Sequence, residues 1–114
     1  MLRSSQEQVV EAARGILRGE LGIIEGSRRL SGLRLQVSSL TNDPDLLPFV
    51  GIDSETDNLP LGEKYRKLWE PKALAREDIK INAAEEHWRE FAFTACRRLL
   101  ERFENASGDE RPEN

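Results

Sequence analysis

Apolar residues recur at steps of three and four through the first forty and the last forty residues of the chain, and the stretch between them breaks that rhythm. Ser4 and Ser5 are each followed three residues later by Glu7 and Gln8, so either serine can open a capping box. Val9, Ala13, Ile16, Leu17, Leu21 and Ile24 then form one stripe, with Glu11, Arg14 and Arg18 outside it. Gly19 and Gly22 weaken any continuous helix here, which predicts a break and then a second helix. From Gly26 onward Leu30, Leu33, Val37 and Leu40 keep the seam of a helix packed lengthwise on another, and an antiparallel pair is the simplest arrangement. Gly26 and Gly32 would allow the two helices to approach closely, or are tolerated local weaknesses.

The middle reads differently. Asn42-Asp43-Pro44 could cap a helix, but Pro48 follows too soon for more than about one turn. Phe49 to Gly62 is bounded by glycine and proline and shows no helical rhythm, so it is expected to be a loop, pinned to the core by Phe49, Val50, Ile52, Leu59 and Leu61. Glu63 to Trp69 predicts a short helix before Pro71, with Tyr65, Leu68 and Trp69 to bury. The final segment is the firmest: Ile81, Ala84, Trp88, Phe91, Ala92, Ala95, Cys96, Leu99 and Phe103 hold the helical spacing. Its start falls at Asn82, which makes a capping box with Glu85, or earlier, with Arg76-Glu77-Asp78-Ile79 already helical; the longer helix is favoured. The expected fold is therefore all-α, a compact bundle of about four helices with a long C-terminal helix and an ordered acidic loop. Residues 1–104 form its single domain, and residues 105–114 are a disordered tail with almost nothing to bury.

Charge sharpens the middle. Between Leu35 and Glu63 there is no Lys or Arg, and Asp43, Asp45, Asp53, Glu55, Asp57 and Glu63 concentrate six negative charges there. Against a chain total of −4, the remainder carries +2. An acidic chain lacks the dense basic surface that phosphate backbones require, which makes nucleic acid an unexpected partner. No apolar run reaches the roughly 20 residues that span a bilayer, and the first residues lack the apolar stretch of a signal peptide, so no membrane partner and a cytoplasmic location are expected. The lone cysteine, Cys96, agrees with a reducing compartment.

Four groups could carry chemistry. Asp53, Glu55 and Asp57 repeat every second residue like the early ligands of a calcium loop, but Asn58 and Lys64 stand where that loop needs glycine and a bidentate glutamate. Their carboxylates could instead hold turns by accepting backbone hydrogen bonds, or form a surface that attracts a basic partner, with Asp43, Asp45 and Glu63 steering its approach. Folding of this segment over Arg14, Arg18, Arg28, Arg29 and Arg34 would turn it into an internal salt-bridge network. His87 is the only histidine and reads as a boundary residue beside Trp88. Cys96 lies on the apolar stripe as a small hydrophobe, nine residues and about 13 Å of helical rise from His87, too far for a nucleophile and its base. Glu85, Glu86 and Glu90, with Glu101 and Glu104, raise a helical Mg²⁺ site like that of all-α nucleotide pyrophosphatases. Arg89 and Glu104 depart from that pattern, and Glu85–Arg89 and Arg97–Glu101 read as i, i+4 pairs on a solvated face. No residue set names a catalytic centre, a metal site or a cofactor.

Gly19-Glu20-Leu21-Gly22-Ile23-Ile24-Glu25-Gly26 with Arg29-Leu30, the run Phe49 to Glu55, and Trp69 together resemble small bacterial proteins without an established activity, over about half the chain. In size and acidity the chain is similar in outline to immunity proteins and antitoxins, which block basic nuclease toxins by charge complementarity. The resulting expectation is a protein-binding module for a basic partner, with a metal-dependent hydrolase of a phosphorylated small molecule as the alternative. Self-association is left open.

Overall fold

The computed structural model describes residues 4–109, with side chains described to Glu104 apart from those of Glu63 and Tyr65. Its elements are α1 (Ser5–Arg18), α2 (Ile23–Val37), α3 (Leu47–Thr56), the single turn α4 (Glu63–Arg66) and α5 (Pro71–Asp109). Among the described residues there is no strand, so the fold is all-α with four substantial helices, the last one long. At 39 residues α5 is about 58 Å long and accounts for the 59 Å long axis of the molecule. Packing is heaviest between α1 and α5, between α2 and α3, and between α1 and α2.

The capping box at the start of α1 is built on Ser4: its hydroxyl accepts from the Glu7 N–H, and the Glu7 carboxylate accepts from the Ser4 N–H. The helix ends at Gly19, which takes a left-handed φ of 75° and donates its N–H back to the last turn. The break before α2 is therefore the one that Gly19 and Gly22 predict. α1 buries Val9, Ala12, Ala13 and Ile16, and α2 buries Ile23, Ile24 and Leu30. Gly26 is the close-approach position, because a Cβ there would lie 2.5 Å from the Ile16 side chain, whereas a Cβ at Gly32 would face open space. The seam on α2 stops at Val37, and Leu40, beyond the helix, is exposed.

The expected loop from Phe49 to Gly62 is corrected by α3, which runs through its first half. Pro48 does not end a helix there. It occupies the first turn, where the missing N–H would have had no intrahelical partner. Phe49, Ile52 and Thr56 are buried at helical spacing, and the Thr56 hydroxyl closes on the Ile52 carbonyl at 2.7 Å. Residues 57–62 remain irregular. α4 is shorter than the predicted segment, and beyond it Leu68 and Trp69, expected to be buried, are 84% and 39% exposed; the Tyr65 side chain lies outside the described residues. Its role is polar, since Arg66 holds Asp78 of α5 with two bonds of 2.8 and 3.0 Å.

α5 begins at Pro71, earlier than either predicted start, and its buried stripe is Ala92, Ala95, Cys96, Leu99 and Phe103. It continues through Asp109, into the segment read as a disordered tail, and residues 110–114 of that segment lie outside the described residues. The Glu85–Arg89 pair expected on α5 does not form: Arg89 pairs with Glu86, and Glu85 reaches α2. Its two carboxylate oxygens accept from the Ile23 and Ile24 N–H groups at 2.8 and 2.9 Å. Gly22, the N-cap residue of α2, has no side chain to do this, so α5 supplies the cap.

Candidate functional site

The helical form of α3 changes what its carboxylates can do. Spacing of two places neighbouring side chains about 200° apart around a helix, so Asp53 and Asp57 share one side and Glu55 lies on another. A calcium-like cradle cannot assemble from such a run. Among the described residues no three His, Cys, Asp or Glu side chains come together as metal ligands would.

Each predicted binding residue has a distinct environment. Asp43 is only 3% exposed, at the turn that leads into α3. One of its oxygens accepts from the Asp45 N–H at 3.0 Å, and Arg102 of α5 lies 2.8 Å from the carboxylate and 3.0 Å from that of Asp45. Burial acts to raise the Asp43 pKa, but hydrogen bonds from Ser38, the Asp45 backbone and Arg102 together outweigh it and hold the carboxyl below its usual value. Asp43 and Asp45 thus tie the entry of α3 to α5. Asp53 is half-buried, 3.8 Å from the Arg28 guanidinium. Arg28 also donates to the Thr56 and Leu59 carbonyls, at 2.5 and 3.1 Å. A cation at the carbonyl end of a helix opposes its dipole, which offsets the acidic residues that crowd the end of α3. Glu55 and Asp57 are exposed and, among the described residues, have no cation paired with them. The Glu63 side chain lies outside the described residues.

The predicted fold-over of acidic and basic segments is therefore partly realised. Arg28 serves α3, Arg29 pairs with Glu25, Arg34 bonds Ser31, and Arg14 pairs with Glu104. Three of the six carboxylates have internal partners, at two separate places, and two face solvent.

Next to Glu55 lies a feature that the sequence reading missed. A groove of about 550 Å³ runs between α3 and α5, with Leu47, Pro48 and Gly51 on one wall, Trp88 and Phe91 on the other, and Glu55 at its rim. Phe91 is 50% exposed and Leu47 is 42% exposed. The rings of Trp88 and Phe91 lie 5.6 Å apart, and His87 meets the Trp88 ring edge-on at 4.8 Å. The apolar stripe read along α5 had placed Phe91 in the core, but Ala92 takes that direction and leaves Phe91 about 100° away. That adjacent apolar pair was the available signal, since a stripe too wide for one buried face must leave a member outside. A larger cleft of about 730 Å³ beside α1 and α2 includes Arg28 and Arg29, both already engaged by acidic partners.

Cys96 is fully buried, and desolvation pushes its thiol up to about 12 against a smaller opposing pull from Arg97. α5 is unbroken from His87 to Cys96, so the two cannot meet.

The described residues thus form an all-helical fold with one exposed carboxylate, Glu55, at the rim of an apolar groove. No family model matches the chain, and no curated protein or solved structure matches it. No helix among the described residues is long and apolar enough to cross a membrane.

Proposed function

We propose that this chain is a non-enzymatic protein-binding module, of the kind represented by immunity proteins and antitoxins, which recognises and neutralises a basic partner. The observation that carries this reading is Glu55, an exposed carboxylate without a cation among the described residues, at the rim of a groove that exposes Leu47 and Phe91, with Asp57 likewise exposed on another side of α3. Opposite charge steers encounter, and apolar contact then supplies the residence time. Asp53, whose ion pair with Arg28 is long, adds to the same field, while Asp43 and Asp45 act on the fold. A metal-dependent hydrolase would draw on convergent carboxylates, and Glu85, the first residue of the helical candidate set, is held by the α2 backbone.

The test compares the native chain with a variant combining Asp53→Asn, Glu55→Gln and Asp57→Asn in a tagged pull-down. A basic protein recovered stoichiometrically by the native chain and lost by the folded variant supports the proposal. Equal recovery by both, or turnover of a phosphorylated substrate with Mg²⁺ or Mn²⁺, defeats it.

A further inference from the structure

The groove between α3 and α5 narrows the class of partner. Helices satisfy their own backbone groups, and among the described residues there is no strand edge to which an extended segment could add. Attraction must therefore come from side chains seated in the groove, and the depression between two packed helices is the surface into which a third helix lays its ridge. Gly51 opens the wall on the α3 side, where a Cβ would meet nothing within 4 Å. Leu47 and Phe91 stand half-exposed across the groove from one another, and Glu55 lies at the end of the apolar lining. The aromatic wall is preformed, since Trp88 is braced by both His87 and Phe91.

We infer that the α3–α5 groove seats one face of an amphipathic helix from a partner protein, with apolar side chains one turn apart lying between Leu47 and Phe91 and a Lys or Arg meeting Glu55. This rests on the protein-binding reading above and specifies where and by what shape binding occurs. Charge favours a foreign basic helix over a second copy: the one charged side chain lining the groove is Glu55, and a second copy brings a further chain at −4 rather than an excess of cations.

The experiment uses the full chain and three fluorescent synthetic peptides. One is an amphipathic helix of leucine and lysine, the second replaces its lysines with glutamate, and the third is a proline-rich peptide flanked by arginine. Binding is read by anisotropy for the native chain, Glu55→Lys and Gly51→Trp. Helical circular dichroism checks the fold of both variants, and Gly51→Gln serves as a second groove-filling variant if the tryptophan perturbs it. The leucine–lysine peptide should bind the native chain with a dissociation constant on the order of 10 μM. Glu55→Lys should weaken it about tenfold, through lost attraction and new repulsion. Gly51→Trp should abolish it by filling the groove.

Equal binding of the leucine–glutamate peptide, stronger binding of the proline-rich peptide, or no binding at about 100 μM overturns the inference. Undiminished binding by Gly51→Trp together with loss in Glu55→Lys removes the groove but leaves recognition by the carboxylates standing. A native dimer in sedimentation that Gly51→Trp dissociates assigns the groove to a second copy and overturns the foreign helix.

Discussion

Single residues set the tolerance of the core. Gly26 lets α1 and α2 approach until the Ile16 side chain occupies the space of its missing Cβ. Gly26→Ala should therefore destabilise the protein by roughly 1–3 kcal/mol, despite the better helix propensity of alanine, because Ile16 must leave its rotamer or the helices must part. Urea unfolding of the variant and the native chain measures this, and an unchanged or raised midpoint would contradict the packing. Cys96 gives a second check. A fully buried thiol held near 12 is protonated at neutral pH, so it should resist alkylation in the native state and react once the chain unfolds. Labelling at neutral pH with and without denaturant distinguishes the two. Ser27 is fully buried, and its hydroxyl has no hydrogen-bond partner among the described residues.

At the scale of elements, two helices are completed by side chains from elsewhere. Glu85 of α5 caps the first N–H groups of α2, and Arg28 of α2 caps the Thr56 carbonyl at the end of α3 while also holding the Leu59 carbonyl of the following turn. Glu85→Ala should cost about 1–2 kcal/mol, in the range of a lost helix cap, and Glu85→Gln should cost less because its amide oxygen can still accept. Amide exchange at Ile23 and Ile24 provides the local readout, and exchange unaffected by Glu85→Ala would show that the cap contributes nothing. Neither cap was legible from sequence neighbours, since more than sixty residues separate Glu85 from Ile23 and its nearest sequence signal was an i, i+4 pair with Arg89. α3 was missed for a different reason. Its buried positions carry helical spacing, but Pro48 and Gly51 lie among them, and both count as breakers until Pro48 is known to fall in the first turn. α1 and the body of α5 were legible because long runs of local periodicity specify which face is buried.

For the whole molecule, the acid limb of stability should follow the carboxylates that have native partners. Asp43 and Asp78 both have lowered pKa values. For Asp43, hydrogen bonds from Ser38, Asp45 and Arg102 overcome the raising effect of burial, and for Asp78 the main cause is the bonds from Arg66. A folded pKa below the unfolded one means that the unfolded chain takes up protons first as pH falls. The stabilisation is thus fully present above the ordinary aspartate value of about 3.9 and is lost as pH falls through the folded values. Urea midpoints should stay level on this account from pH 7 to about 5, then fall. Asp43→Asn should flatten part of that fall; an unaltered slope would remove Asp43 as a contributor.

The sequence by itself determined the all-helical class, the register of α1, a break between Gly19 and Gly22, and the long final helix, because each depends on contacts within about a turn along the chain, while the choice of Ser4 over Ser5 as the cap came from the structure. It also placed the acidic residues in one segment. Only the tertiary structure decided their fate: Asp43 and Asp45 meet Arg102, Asp53 faces Arg28, and Glu55 is left at the rim of a groove. Charge composition is additive along a chain, but whether a charge is paired or available depends on which distant helix folds against it, and that is decided by core packing.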